Sequence, residues 1–335
     1  MSDSKSCILV TGGAGYIGSH VVKLLGEGGR QPVTLDNLSK GNRDAVLYGD
    51  LVVGDTGDAA LVTDILERYR VDTVMHFAAS TIVPDSVADP LAYYANNTRN
   101  TLNLLQCCIA AGVKHFVFSS TAAVYGIPVS GECDEDALTA PINPYGQSKL
   151  MSEQMLRDAC RAYGMRAVVL RYFNVAGSDP EGQIGQSTPG STLLIKVAVE
   201  HVMGLRPALH IFGSDYPTPD GTGVRDYIHV TDLAAAHLDA LRYLESGGET
   251  VTLNCGYGRG FSVREVVDMV ARVAGKALEV IERPRRPGDP PRLIARADRI
   301  SQLLGWKPRY HDLETIVRTS LEWEKALARR RGGRG

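Results

Sequence analysis

Thr11-Gly12-Gly13-Ala14-Gly15-Tyr16-Ile17-Gly18 follows the apolar run Cys7–Thr11 and opens a helical pattern over Tyr16–Glu27. Glycines spaced by three between a strand and a helix have separate tasks. Gly12 permits a tight turn, Gly15 lets the backbone approach a pyrophosphate, and Gly18 allows the helix to pack closely on the strand. The helix start supplies unpaired N–H groups and the positive end of its dipole. A glycine-rich turn without a ligand is the plainer reading, and the flanking strand and helix weigh against it. Asp36 closes the next apolar run, Pro32–Leu35. A carboxylate there accepts hydrogen bonds from both ribose hydroxyls of an adenosine and repels a 2′-phosphate, which favours NAD over NADP. The alternative is that Asp36 only starts the Asp36-Asn37-Leu38 turn. Asp55, after the third run, is within reach of an adenine edge or is an ordinary turn residue.

Further apolar runs lie at 51–53, 73–77, 115–118 and 167–170, with helical patterns at 58–69, 90–111 and 145–163 between them. Alternation of this kind predicts a doubly wound parallel sheet with helices on both faces. Beyond about residue 175 the texture changes. Residues 178–191 and 216–223 are turn-dense, and helical patterns at 192–203, 231–244, 263–274 and 312–327 are separated by short strands near 209–212, 250–254 and 278–281. The expected organisation is a cofactor domain over 1–175 and a smaller mixed α/β substrate domain over 176–335, partly interleaved. The second covers the carboxyl ends of the strands, where open α/β sheets bind ligands.

Chemistry enters at Tyr145-Gly146-Gln147-Ser148-Lys149. A Tyr and a Lys four apart share one helix face. A phenol with pKa ~10 is a poor base at neutral pH, and a nearby ammonium and an oxidised nicotinamide ring both favour its phenolate. The pair suggests a proton-transfer tyrosine beside a hydride acceptor. Thr121, at the end of Phe118-Ser119-Ser120-Thr121, offers a hydroxyl that would bridge a substrate hydroxyl to Tyr145, unless it is satisfied within its own turn.

Composition narrows the field. The 335 residues are 44% hydrophobic and 22% charged, with a net charge of −2, which gives no electrostatic case for nucleic acid. The six cysteines form no CxxC pair or metal-ligand spacing, so neither a metal nor a disulfide framework is expected. A strand beginning near residue 7 leaves no room for a signal peptide, and no run of roughly 18 apolar residues suggests a membrane span. A cytoplasmic protein is the expectation. The basic end Arg329-Arg330-Arg331-Gly332-Gly333-Arg334-Gly335 reads as a solvated tail.

Taken together, TGGAGYIG, SSTAAVYG, YGQSK, RYFN and GVRDYIHV resemble the extended short-chain dehydrogenase/reductase family, and within it the UDP-hexose 4-epimerases, over about residues 7–327. The resemblance implies an NAD-binding Rossmann domain, a smaller UDP-sugar domain, a tightly held NAD and a homodimer. Its reaction would be reversible 4-epimerisation of UDP-glucose and UDP-galactose through a transient 4-keto sugar. By the same resemblance Tyr16, Ile17, Asp36, Asn37, Asp55, Thr56, Phe77, Ala78, Asn96, Lys149 and Phe173 join the three glycines at the cofactor. Thr121 and Tyr145 become the catalytic hydroxyl and base, with Lys149 beside them. Asn174, Phe212, Arg225, Arg286 and Asp289 would hold the nucleotide sugar. Two arginines on separate loops suit a diphosphate, although either one alone is more commonly a surface residue. His229 reads as a structural hydrogen bonder.

Related 4,6-dehydratases carry an Asp-Glu pair after the catalytic Thr, and related decarboxylases a Glu; here Ala122 and Ala123 stand there, and alanine cannot transfer a proton. The sugar remains open, because UDP-N-acetylhexosamine or UDP-pentose epimerases use nearly the same residues. Leu293 falls where the resemblance places a gate to the sugar pocket, and Thr81 departs from a Lys near the cofactor in some relatives. A non-catalytic NAD-binding regulator on the same fold is the alternative of another class. The patterns at 90–111 and 145–163 are the helices that pair in family dimers, and the stripe Leu102, Leu105, Ile109 fits either that interface or burial on the sheet.

Overall fold

The computed structural model describes residues 7–286 and 289–332. Numbered in chain order, strands β1 (Cys7–Thr11), β2 (Pro32–Asp36), β3 (Asp50–Val53), β4 (Val71–His76), β5 (His115–Thr121), β7 (Arg166–Tyr172) and β11 (Val251–Cys255) form one seven-stranded sheet in the order β11-β7-β5-β4-β1-β2-β3. All its pairings are parallel. The apolar runs are continuous because both faces are covered. On β1, Cys7 and Leu9 face one core with Val62 and Ile65 of α2 (Ala59–Arg68), Leu104 of α5 (Asn100–Ala110) and Leu156 of α6 (Pro144–Tyr163). Ile8 and Val10 face the other, with Val21 and Leu25 of α1 (Tyr16–Glu27), Leu233 and Leu241 of α8 (Val230–Glu245) and Ile300 of α10 (Asp298–Leu304). Each such aliphatic side chain contributes about 1.5–3 kcal/mol by leaving water. The strand order reverses between β1 and β4, which opens a crevice at their carboxyl ends.

The remaining strands form two small sheets. In one, β12 (Gly260–Ser262), β10 (Val224–His229), β14 (Arg292–Ala295) and β6 (Glu132–Cys133) lie side by side, and β8 (Asn174–Ala176) also pairs with β10. In the other, β9 (Leu209–Phe212) pairs with β13 (Val280–Arg283). Helices α7 (Leu194–Val202), α9 (Val263–Ala274) and α11 (Leu313–Gly332) enclose a third core around Val199, Val266 and Ile316. The chain crosses between the halves more than once, since β11 and α8 belong to the main sheet and β6 to the second.

Two expectations are corrected. The pattern at 90–111 is not one helix: α3 (Val83–Ala88) and the short α4 (Pro90–Tyr93) lead into a π-helical turn, Tyr94–Arg99, before α5 begins. The turn is held by Asn97, whose side chain accepts from Ser80 N–H at 2.8 Å and donates to Ser80 O at 2.9 Å and to Ser148 Oγ at 3.0 Å. Such π turns collect at functional sites, and this one aims Asn96 at the loop after β4, where its amide reaches Ser80 Oγ at 3.0 Å. The stripe is split as well: Leu105 and Ile109 pack in the core, while Leu102 is exposed.

Candidate active site

The cofactor cradle is built mainly from backbone. Gly12 has φ +69°, and a Cβ on it would stand 2.6 Å from the Ala78 nitrogen. A Cβ on Gly18 would meet Gly12 O at 2.3 Å, so the helix packs this closely on the turn only because residue 18 is glycine. Gly15 precedes the first residue of α1, Tyr16, and Ile17 packs inward beneath it. Asp36 accepts from Ala14 N–H at 3.0 Å and Leu38 N–H at 2.8 Å, which fixes its carboxylate at the end of β2. Asp55 is tied to Asn37 at 2.9 Å, Gly57 N–H at 2.8 Å and Asn100 at 2.8 Å. Thr56 is buried and its carbonyl accepts from Asn103 at 2.7 Å. An open N–H-lined turn with an anchored carboxylate one strand away fits the diphosphate and ribose of NAD.

Across the crevice, Phe77 follows β4 with its ring 4.7 Å from that of His237. Beneath Phe77 and Ala78 lies a residue the motif reading passed over. His76 is 1% exposed, with Nδ1 2.6 Å from Thr11 Oγ1 and Nε2 3.0 Å from Thr101 Oγ1. Thr101 donates to Asn97 O at 2.5 Å, so its oxygen accepts from His76 Nε2–H, and Nδ1 accepts from Thr11. Burial, with Lys149 nearby, pushes the His76 pKa down to about 3, so the ring is neutral and this hydrogen-bond chain keeps its direction. It joins the glycine turn to the π turn. Its one trace in the sequence is a polar residue closing the run Val71–His76.

The candidate proton-transfer group sits where β5 meets α6. Asn143 caps the helix, accepting from Gly146 N–H at 2.9 Å, and Pro144 occupies the first turn. A Cβ on Gly146 would lie 2.6 Å from Ala123 O. That glycine lets α6 approach the turn after β5 and sets Tyr145 beside Thr121, whose hydroxyl bonds to the phenol. Thr121 also accepts from Ala123 N–H at 3.1 Å. Burial raises the Tyr145 pKa, and the Thr121 bond opposes the rise. Lys149 is 3% exposed and donates to Ser119 O at 2.9 Å, 5.0 Å above the Phe118 ring. Burial lowers its pKa to about 8 while Glu153 pulls it upward. The ammonium thus faces the strand.

One turn beyond Lys149, fully buried Glu153 receives Arg171 (Nε 3.0 Å, Nη2 2.6 Å) and the Ser120 hydroxyl. A buried pair of this kind is costly to break from one side, so Arg171 fixes α6 against β7, and Ser120 ties it to the end of β5. Its signal in the sequence is a glutamate continuing the four-residue spacing of Tyr145 and Lys149. Phe173 packs with Ala122, Val124, Leu150 and Leu293.

The candidate nucleotide-sugar residues come from β8, β9 and β10 and from the segment between β13 and β14. Asn174 starts β8 opposite Tyr227 of β10. Arg225 on β10 pairs with Asp289, and Arg286 lies 3.8 Å over the ring of Phe212 at the end of β9. The last pair is a cation–π contact. The linking residues Pro287 and Gly288 lie outside the described residues. A cleft lined by Tyr16, Asn174, Gly177, Lys196, Tyr227 and Trp323 joins the two halves. His229 is no catalyst: it is fully buried, with Nδ1 accepting from Thr231 N–H at 3.1 Å and Nε2 donating to Thr319 at 3.1 Å. Among the described residues, no group of His, Cys, Asp and Glu has a metal-holding arrangement and no helix is long and apolar enough to cross a membrane.

Residues 8–256 match the model of the NAD dependent epimerase/dehydratase family. The chain is 57% identical over 329 residues to the UDP-glucose 4-epimerase of Azospirillum brasilense, covering 98% of this chain and 94% of that one. The solved structure of UDP-glucose 4-epimerase from Brucella ovis in complex with NAD superposes with TM-score 0.92 at 46% identity, covering 94% of this chain and 97% of that one. That of UDP-glucose 4-epimerase from Bifidobacterium longum in complex with NAD+ and UDP gives TM-score 0.92 at 36% identity, covering 96% and 98%.

Proposed function

We propose that this chain, which belongs to the NAD dependent epimerase/dehydratase family, interconverts UDP-glucose and UDP-galactose by reversible oxidation at the sugar C4. The observation that carries the reading is the buried Thr121–Tyr145 hydroxyl pair at the cofactor crevice, followed by Ala122 and Ala123. The pair can move one proton, and the alanines supply no acid or base for elimination or decarboxylation.

In this account Tyr145 takes the proton of the sugar 4-hydroxyl, with Thr121 holding that hydroxyl in line. Bound NAD supplies the hydride acceptor and, in its oxidised ring, the positive charge that offsets the burial of a phenolate. Asp36 and the N–H groups around Gly15 hold the adenosine ribose and diphosphate. Arg225 and Arg286 grip the substrate diphosphate through planar donor forks, with Asp289 toward the uridine ribose and Phe212 beside the base. The 4-keto sugar turns about that anchor and presents its other face, and Tyr145 then returns the proton. No net oxidation results.

The exposed apolar side chains Leu91, Leu102 and Met151 on α4, α5 and α6 support a homodimer joined through these helices. All six cysteines are free and buried, consistent with a reducing, cytoplasmic location. The test is to incubate the purified protein with UDP-galactose and no added cofactor and read the nucleotide sugars by NMR. UDP-glucose should appear. No conversion, even with NAD supplied, would reject UDP-galactose as the substrate and bring N-acetyl or pentose UDP-sugars forward.

A further inference from the structure

The chain that leaves β8 runs along α1, and charged and polar contacts tie the two together. Tyr16, the first residue of α1, donates its hydroxyl to Gly177 O at 2.6 Å. About two turns further along the helix, Lys23 Nζ meets Asp179 Oδ1 at 2.7 Å, Glu181 Oε2 at 2.9 Å and Glu27 Oε1 at 3.3 Å. The Lys23 and Asp179 side chains are 6% and 5% exposed, whereas Glu181 is 64% exposed. The other oxygen of Asp179 accepts from Gln183 N–H at 2.9 Å and holds the turn that carries it.

A buried ammonium is unfavourable unless it is paired, and losing one partner of such a pair leaves an uncompensated charge. Lys23 and Asp179 therefore strongly favour the geometry in which they meet. Their location gives that preference a use. The function proposed above puts the cofactor diphosphate at the N-terminus of α1 and the nucleotide sugar near Asn174, where β8 begins. The contacts from Tyr16–Gly177 to Lys23–Asp179 thus clamp the helix of one site to the strand of the other.

We propose that Lys23 and Asp179 are positioning residues: their buried ion pair latches the 177–183 segment against α1 and keeps the cofactor from leaving between turnovers. This rests on the function proposed above, since a reaction that returns its hydride gains from a cofactor that stays. Neither residue touches the reacting atoms, so the predicted effect is on retention.

The experiment loads wild type, Lys23→Met and Lys23→Arg with NAD, removes free cofactor by gel filtration, and follows NAD release over time by quantifying protein-bound cofactor. Lys23→Met should release NAD at least tenfold faster and need added NAD for epimerisation. Lys23→Arg, which keeps the charge, should fall close to wild type. If Lys23→Met does not fold, Asp179→Asn, equal in size and still able to accept from Gln183, gives the same reading. Release from Lys23→Met or Asp179→Asn as slow as from wild type, even with lowered thermal stability, would overturn the latch alone. Wild type that cannot hold NAD would overturn the retained-cofactor account and the latch with it.

Discussion

The two proposed binding regions of this molecule are built by opposite means. The cofactor cradle consists of backbone N–H groups, glycines that admit no Cβ, an anchored carboxylate at Asp36 and a neutral His76 held between two threonines. The nucleotide-sugar side consists of long side chains, Arg225 on Asp289 and Arg286 over Phe212, with Asp289 36% exposed. A rigid cradle suits a group that must stay through every cycle. A side-chain clasp suits one that must bind, allow its sugar to turn, and leave. Tyr145 stands between them, so it should be the most sensitive position. Tyr145→Phe is predicted to lower turnover by about 10²–10⁴-fold, the usual weight of a positioned proton-transfer group, with NAD still bound. Activity within threefold of wild type in a steady-state assay would remove its role.

On the cradle side, Gly12→Ala forces both a Cβ against Ala78 and a left-handed backbone on a non-glycine residue. It should cost about 1–3 kcal/mol of stability from backbone strain, with further loss from the clash, and it should abolish NAD retention. A variant that denatures like wild type in urea and keeps its cofactor would show that the turn is more pliant than its geometry implies. On the clasp side, Arg225→Ala should raise KM for the UDP-sugar about 10–100-fold, the weight of a charged hydrogen bond worth about 1.5–3 kcal/mol, and change kcat far less. An equal loss in kcat would mean that Arg225 acts mainly in the transition state.

Acid should expose the same contrast. Burial lowers His20 and His237 to about 4 and His76 and His229 to about 3, from 6.5. Below pH 6.5 the unfolded chain therefore binds more protons at these sites, and stability falls as pH falls. Each group contributes ~1.4 kcal/mol per pH unit until its folded value is reached. Asp226, raised to about 6 by burial, works in the opposite sense between about 6 and its ordinary 3.8. Three of the four histidines lie on α1, β4 and α8, around the main sheet. Urea midpoints should drop steadily between pH 7 and 5; a flat profile would contradict the burial of these rings as neutral groups. The smallest effect is expected at Lys149. Because its ammonium faces Ser119 O, Lys149→Met should move the onset of activity upward by about one pH unit or less, the low end for a nearby charge. A larger shift would make Lys149, rather than the nicotinamide charge, the main tuner of Tyr145.

The cradle was also the more legible half. A positive φ at Gly12 and the contact at Gly18 restrict residue type and spacing directly, so the fingerprint and the parallel sheet could be read without structure. The clasp left no local signature. An arginine that grips a phosphate has no pattern distinguishing it from one in solvent, so the role proposed for Arg225 and Arg286 rests on resemblance. Strands β8, β12 and β14 went unread because they are only three or four residues long, and β10 because Arg225 and Asp226 interrupt its apolar run. The π turn at Tyr94–Arg99 was missed because side-chain bonds from Asn97 to Ser80 and Ser148, not periodicity, decide it.

The central claim is that a hydride leaves and returns at C4 within one retained site. UDP-galactose carrying deuterium at C4, converted with no added NAD and examined by NMR, tests it most directly. The account predicts UDP-glucose with the deuterium still at C4. Replacement of that deuterium by solvent hydrogen would contradict it.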